Sequence, residues 1–423
     1  MGKGNSMDIC SKKQTEKEIN DIKDITDIKD IKDIKDIREY GSIVIYGAGT
    51  IAGHVFHCLS GAPFYCLVSA FMVSERIEGV HELYGVPVID VHEGGKYREN
   101  AVILIAVMDR YYEEIAQTLR KEGFRNFVSM TFESRLWEEV RAVYASELWR
   151  RGGRGYLPLK RTLFGMSSDN DAYGSTVYDN VARLSVSGQP CNGVHIYRAC
   201  SHMDRQIHTD LSEYGWEIPI QVGTELTQTR TSPVCDNRGE NISAKNQEYC
   251  ELTALYWIWK NDTSSYAGLC HYRRHFALNQ EMIELLAESD IDVILTVPML
   301  NFPDVRTVYI HDHIEEDWNI MMLAIADLAP DYYETAQTVQ NGVYYYAYNM
   351  LIARREILND YCEWLFPILS YCEERCSGGA GRERRDSYQN RYIGFLSERL
   401  MTVYFLYHEK RYRIAYAGKR FLT

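Results

Sequence analysis

The chain has 423 residues, 46% hydrophobic and 25% charged, the balance of an ordinary globular protein with room for two or three domains. Its formal net charge of −13 runs against a general nucleic-acid binder, whose footprint is a basic excess. Eleven cysteines without a CxxC pair or a secretory leader fit reduced thiols, and no apolar run approaches the roughly 18 residues of a membrane span.

Residues 1–40 form a polar leader with Asp-Ile-Lys triplets across 21–37. On an α-helix a three-residue period carries the isoleucines round by about −60° per repeat, so they make no stripe. The i,i+4 pairs run Lys to Asp, the weaker orientation. The pattern predicts a disordered or frayed-helical arm, with a short coiled-coil partner site as the alternative.

From Gly41 the composition changes. A β-rich run at 42–46 leads into Gly47-Ala-Gly49-Thr-Ile-Ala52-Gly53 and a helical stretch to Leu59. In that strand–turn–helix context a GxGxxG/A sequence brings backbone N–H groups to a phosphate at the helix N-terminus. Further strands are predicted at 65–73, at 101–107 and near Phe127, with a helix at 111–122. Residues 41–130 therefore read as a Rossmann-like domain of nucleotide-binding type, with Gly47 and Gly49 as its candidate site. A dinucleotide site also needs an acid near the end of its second strand, and Glu75 is imperfectly placed for it. A nucleotide or nucleotide-sugar ligand, an NAD-linked enzyme and a turn that only packs tightly all stay open. The segment is similar to small Rossmann-like domains of bacterial sugar acyltransferases and of some glycosyltransferase fusions.

Residues 131–192 are expected to be a linking helix and loop, with Leu136, Trp137, Val140, Val143, Tyr144 and Leu148 at helical spacing. The basic end, Arg150 to Gly155, reads as a solvated linker or as a contact with an anionic membrane surface. A polar loop follows across 167–189.

Residues 193–423 alternate strands and helices as a second α/β domain. Strands are predicted at 194–199, 266–270, 293–297 and within 343–353. Helices are predicted at 280–288, from 314 to 340, at 356–372 and at 386–407. Pro219 and Gly223 mark a loop, and 376–385 a glycine/arginine loop. The centre of this domain is 246–276. Asn246 reads as the N-cap of an amphipathic helix whose Tyr249, Leu252, Tyr256 and Trp259 share one stripe, with Glu251 out of character. The following strand delivers His271, Tyr272, Arg273, Arg274 and His275 at its carboxyl end, where ligands bind in open α/β sheets. Arginines there suit an anion, since a guanidinium clamps phosphate oxygens bidentately.

Other candidates lie further on. Glu398 beside Arg399 in an apolar helix reads as a general base with a raised pKa or as a structural ion pair. His311 and His313 alternate on a segment expected to be extended, so both would share a face as acid/base groups or metal ligands without a third partner. Tyr344, Tyr346 and Tyr348 alternate too, as a sugar-stacking wall or as sheet packing, and Asn349 ends that run, placed to bond sugar hydroxyls. Asp290-x-Asp292 opens a strand instead of closing one and reads as turn chemistry, and Asp386 reads as a helix cap.

Five ordered motifs carry a family likeness: Asn241-Ile-Ser-Ala-Lys-Asn246, the helix Tyr249-Cys-Glu-Leu-Thr-Ala-Leu-Tyr-Trp-Ile-Trp-Lys260, Gly268-Leu-Cys-His-Tyr-Arg-Arg274, Tyr348-Asn-Met350 and Gly394-Phe-Leu-Ser-Glu-Arg-Leu400. Over about residues 193–415 the chain resembles the bacterial DUF4422 family, associated with capsular and exopolysaccharide biosynthesis, whose members look like GT-A-type glycosyltransferases. The resemblance implies a Rossmann-like domain followed by a GT-A-like α/β glycosyltransferase domain. It implies transfer of a sugar from a nucleotide-sugar, UDP-linked, to a surface-polysaccharide or lipid-linked oligosaccharide acceptor. Under it, His271, Tyr272, Arg273, Arg274, Asn246, Asn349 and Arg399 serve the donor diphosphate, and Glu398 or Glu251 is the catalytic carboxylate. No metal ligand is assigned, because arginines stand where many GT-A enzymes carry Asp-x-Asp, and a divalent cofactor is not favoured. The opening strand departs from the family, with Tyr197-Arg-Ala-Cys200-Ser-His202 replacing an Ala-Cys-His-Lys-like ending. The expected setting is the cytoplasm of a bacterium, with contact at the inner face of the membrane and self-association left open. The rivals are an NAD(P)-linked sugar-nucleotide oxidoreductase centred on Gly47 and Gly49, and a non-catalytic nucleotide-sugar sensor or scaffold in polysaccharide assembly.

Overall fold

The structure, a computed structural model, describes residues 37–76, 78–159, 193–287, 289–376 and 385–422. The arm across 1–36, the loop at 167–189 and most of the glycine/arginine loop lie outside the described residues. The chain divides into two units, Met1–Trp137 and Glu138–Thr423.

In the first unit, β1 (Ser42–Tyr46), β2 (Val68–Val73), β3 (Glu82–Leu83), β4 (Val86–Asp90), β5 (Ala101–Ile105) and β6 (Phe127–Ser129) form one sheet ordered β3-β4-β2-β1-β5-β6. Every neighbouring pair except β3–β4 is parallel. With α1 (Thr50–Ser60) after β1 and α2 (Tyr112–Lys121) after β5, this is the Rossmann-like arrangement expected. The all-apolar Ala101-Val-Ile-Leu-Ile105 is buried throughout, as a parallel strand covered on both faces is. Its Ile103 and Ile105 pack with Val44, Met72, Leu119 and Phe124 in one core. Strand β4 has no counterpart among the sequence expectations, and it carries Pro87. It sits ahead of the register with β2, where its missing N–H costs no bond in that ladder. The turn after β1 requires glycine at Gly47, whose φ is 123° and whose Cβ would lie 2.8 Å from the Ala106 oxygen.

The second unit contains α3, which is the helix Arg135–Arg151 from Glu138 onward, then β7 (Pro158–Leu159), β8 (Val194–Cys200), β9 (Glu217–Gln221) and β10 (Val234–Cys235). Next come α4 (Asn246–Tyr249), α5 (Leu252–Asn261), β11 (Tyr266–His271), β12 (Arg274–Phe276), α6 (Gln280–Leu286), β13 (Val293–Thr296) and β14 (Met299–Leu300). Then follow α7 (Val305–Asp312), α8 (Glu315–Leu328), α9 (Tyr333–Gln340), β15 (Tyr344–Tyr345), β16 (Leu351–Arg354), α10 (Arg355–Cys376), α11 (Tyr392–Tyr407), β17 (Ile414–Ala417) and β18 (Lys419–Phe421). The main sheet is ordered β10-β9-β8-β11-β16-β13-β17-β7, and β16 alone runs against its neighbours. This is the second α/β layer structure expected. Strands β11 and β16 pass so closely that a Cβ on Gly268 would lie 2.7 Å from Ile352 Cγ1.

Several local expectations are corrected. The helix from Asn246 is broken at Cys250, where φ is 51°, so Asn246 begins a single turn and makes no side-chain cap. Pro219 lies inside β9, and is tolerated because the short β10 pairs only beyond it, at Ile220 and Gln221. The run at 308–313 is helical, and a 100° step per residue sends His311 and His313 to different faces. The run at 343–353 is two strands separated by a turn with φ 71° at Tyr348 and 51° at Asn349. The helical pattern from 314 to 340 is two helices parted at Pro330.

Helix α11 is the core element of this unit. Leu396, Leu400, Met401 and Phe405 are fully buried, each stabilising the fold by roughly 2–3 kcal/mol relative to exposure. From Tyr392 to Phe405 only Phe395 and Glu398 are not buried. No helix among the described residues is long and apolar enough to cross a membrane.

Candidate functional site

Because β16 is antiparallel to β11, its beginning lies beside the end of β11, with Leu269 opposite Leu351. The Tyr348-Asn349 turn that opens β16 therefore meets His271. Tyr348 is clamped there on both sides. Its N–H donates to Glu398 Oε1 at 2.6 Å, and its carbonyl accepts from His271 Nε2 at 2.6 Å. Asn349 Nδ2 donates to Glu251 Oε1 at 2.7 Å and to the Gly394 carbonyl at 3.2 Å, while His271 Nε2 lies 3.6 Å from the same Glu251 oxygen. Glu251 comes from the start of α5, Glu398 from α11 and His271 from β11. Three of the candidates, two carboxylates and an imidazole, thus share one network with Asn349.

The backbone around this network is strained. Cys250, Tyr348 and Asn349 have φ of 51°, 71° and 51°, and they are the non-glycine residues of the second unit described with positive φ. Each costs of order 1–3 kcal/mol and persists only when its surroundings over-determine it. Asn246 supplies one such restraint, since its Nδ2 donates to the Cys250 carbonyl at 2.6 Å and to Thr253 Oγ1 at 3.1 Å.

The two carboxylates ionise differently. Burial pushes the Glu251 carboxyl up, but the charge and hydrogen bond of His271 and the Asn349 amide outweigh it and hold it at about 2. Burial also pushes Glu398 up, and here the Arg399 charge and the Tyr348 N–H offset it only in part, with Glu251 adding to the rise. Environments that pull two neighbouring acids apart are a signature of assigned acid/base roles.

Cations gather at the end of β11. Arg273 lies over the Phe421 ring at 4.3 Å, and its Nε donates to the Leu422 carbonyl at 3.2 Å. Among the described residues no carboxylate bridges it. Arg274 and Lys419 flank the Tyr348 ring at 4.6 and 5.2 Å. Tyr272 is half-buried, and its carbonyl accepts from His275 Nε2 at 3.1 Å. Asp204 joins this group without having been singled out in the sequence. It accepts from the Ser201 N–H at 2.6 Å, and burial raises its pKa against the charges of His271, His202 and Arg273. An acid four residues past the end of the opening strand is the signal that could have found it.

Other candidates fall elsewhere. Arg399 is buried, donating to Glu398 Oε2 at 2.7 Å and to the Phe395 carbonyl at 2.9 Å beneath the Tyr345 ring, so it acts on Glu398. Asn246 spends its amide N–H groups on the Cys250 bend. Tyr344 packs on Trp149, and Tyr346 bonds Tyr416. It is Tyr345, the opposite parity, whose ring lies near Glu398. His311 is exposed and paired with Asp312. His313 stacks on Phe395, where burial and then the Arg399 charge lower its pKa to about 4. Asp290 pairs with Arg413, and Asp292 with Arg354 and the Arg413 N–H. Gly47 and Gly49 mark the α1 N-terminus in the first unit, where Ser74, bonded to Tyr46 at 2.7 Å, follows the end of β2.

The side chains exposed at the end of β11 are predominantly cationic. Beside them Glu217, Cys270 and His275, all buried, bring possible ligand atoms within 4.8 Å of one another. Glu217 is already bonded by His275 Nδ1 at 2.8 Å and Cys270 Sγ at 3.3 Å, with Arg198 at 3.8 Å. The cluster satisfies itself and props the His271–His275 turn through Tyr272.

The family model described as domain of unknown function DUF4422 matches residues 197–410, half of the chain. No curated protein matches. A solved structure titled as the apo form of the WbbM bifunctional glycosyltransferase is similar at 25% identity and a TM-score of 0.47, over 55% of this chain and 46% of that one. The chain thus spans about half the length of that protein.

Proposed function

The chain belongs to the DUF4422 family, and from that premise we propose that its second unit is a glycosyltransferase moving a sugar from a UDP-linked donor to a surface-polysaccharide or lipid-linked acceptor. The observation that carries this reading is the strained Tyr348-Asn349 turn, held between Glu398, His271 and Glu251 at the sheet's ligand-binding edge. Arg273 and Arg274, beside His271, take the negative charge of the departing diphosphate, a role that bidentate guanidinium contacts fill without a metal. Glu398 is the acceptor-side base, because its proton affinity is raised while Arg399 and the Tyr348 N–H fix its direction. Glu251 stays ionised and holds His271 and the buried Asn349, so that these two fix the turn instead of bonding the sugar themselves. The first unit regulates the enzyme or takes a nucleotide-sugar at the Gly47–Gly49 turn, and the setting is the cytoplasm of a bacterium, with contact at the inner face of the membrane left open.

The test is a thermal-shift screen of UDP-sugars, with and without manganese. Saturation at about 100 times Kd stabilises the folded state by roughly 2.7 kcal/mol. Arg273→Ala is expected to weaken that shift at least about tenfold in Kd, the loss of one charge-assisted contact. Wild-type binding and transfer in this variant would refute the phosphate role.

A further inference from the structure

Between Tyr392 and Phe405, helix α11 opens toward the surface at two positions one turn apart, Phe395 and Glu398. What lies over Phe395 is aromatic. His313 stacks on it with centroids 4.2 Å apart and planes at 27°, and Tyr388 lies 5.1 Å from Phe395 and 6.0 Å from His313, its plane nearly parallel to the latter's at 20°. Tyr388 is 52% exposed, so the outer ring of this group is open to solvent. Its place is set by the chain around it. Asp386 accepts from the Tyr388 N–H at 2.9 Å and from the Gln389 N–H at 2.7 Å. Gln389 Nε2 in turn donates to the Asp312 carbonyl at 2.8 Å. Arg385 is pinned to the buried Asp317 and lies over Tyr392 at 4.0 Å. A large exposed ring held this firmly is prepared for a ligand face before the ligand arrives.

We propose that Tyr388, with Phe395 and His313 behind it, is the platform on which a pyranose ring of the carbohydrate acceptor stacks, one step along α11 from Glu398. Three observations agree. The C–H face of a pyranose is apolar, and an aromatic ring offers it a flat partner. Around the ring stand Gln389, Asp312 and Arg391, polar groups of the kind that bond ring hydroxyls at the edge of a sugar site. The Tyr388 hydroxyl also feels the charges of Glu398, Arg391 and Arg399, which places the platform beside the acceptor-side base rather than beside Arg273. Tyr345, beneath Arg399, is within electrostatic reach of both Glu398 and Tyr388. The sugar class is therefore a six-membered ring presenting one unsubstituted C–H face, and the platform determines which acceptors are taken. This inference rests on the glycosyltransferase reading above.

Binding of methyl β-D-galactopyranoside, methyl α-D-glucopyranoside and methyl α-D-mannopyranoside to the full chain, followed by saturation-transfer NMR with UDP present, tests it. At least one glycoside is expected to receive saturation at its ring C–H protons. Tyr388→Ala should weaken that glycoside about 3- to 10-fold, the range of one aromatic contact, and Tyr388→Phe should bind as the wild type because the face and not the hydroxyl is used. The exposed position makes both variants safe for folding, and UDP thermal stabilisation should persist in each. Absence of binding by every glycoside, or equal binding by Tyr388→Ala, overturns the platform while a retained UDP shift leaves the donor reading standing. A Tyr388-dependent glycoside without any UDP shift does the reverse.

Discussion

Replacing Glu251 by glutamine separates its charge from its shape. The amide oxygen of the new side chain still accepts from Asn349, but the attraction to His271 is gone. Glu251 titrates at about 2 in the folded chain against an ordinary 4.5, and its side chain is only 10% exposed. Each tenfold in proton affinity is worth ~1.4 kcal/mol, so the ionised group contributes about 3 kcal/mol at neutral pH. The sign follows from the depressed folded value. As pH falls, the unfolded chain binds the proton first, so the contribution is whole well above 4.5 and is lost as pH falls toward 2. At about pH 3.5 roughly 1 kcal/mol of it has gone. Urea unfolding followed by tryptophan fluorescence reads this, because of the 7 tryptophans only Trp137 lies in the first unit. The stability gap between wild type and Glu251→Gln should narrow by roughly 1 kcal/mol between pH 7 and pH 3.5. The gap at one pH also contains the exchange of carboxylate for amide, whereas the narrowing comes from titration alone. A gap that stays constant, or widens on acidification, refutes the network.

Two further outcomes follow from the same geometry. Glu398→Gln should lower kcat by about 10²- to 10⁴-fold in a transfer assay with little change in donor KM. The wild-type rate should rise with pH through an inflection above the ordinary carboxylate range, and a variant that keeps that inflection would remove Glu398 from the base role. In the first unit, Gly47→Ala should destabilise by roughly 1–3 kcal/mol in thermal unfolding, since it forces a side chain to φ 123° and 2.8 Å from the Ala106 oxygen. Gly49→Ala, at φ −96° with open space around it, should cost less than about 1 kcal/mol. Equal losses at the two positions would contradict the turn described.

Much of the architecture was legible because it is local. Apolar runs such as 42–46 and 266–270 became strands at nearly their predicted bounds, and the long stripes gave α10 and α11, since burial of a periodic face is written in the order of residues. Strands β4 and β9 were not legible. Each carries a proline, Pro219 being read as part of a loop, and only the register shows both outside the ladder that would need an N–H. The helix at Asn246 failed for the opposite reason. Its stripe continues through Cys250, and a bond from the Asn246 side chain to the Cys250 carbonyl, four residues on, holds a reversal that the period does not show.

The site divides along the same line. The sequence by itself determined which chemistry was present: His271, Arg273 and Arg274 past a buried strand, and Glu251 and Glu398 as carboxyls on helices that are otherwise mostly apolar and aromatic. Only the tertiary structure decided how they are used. Residues 98 and 50 positions apart, Glu251 with Asn349 and Tyr348 with Glu398, come within hydrogen-bond reach because β16 reverses against β11. The same reversal turns Tyr348 and Asn349 to positive φ, a conformation no sequence period predicts for a tyrosine. It also leaves Tyr345 and Tyr388, rather than the alternating Tyr344 and Tyr346, near Glu398. Hydrophobic period fixes which face of an element is buried, but side-chain meetings between elements depend on the direction and register of strands, which are settled by the whole sheet.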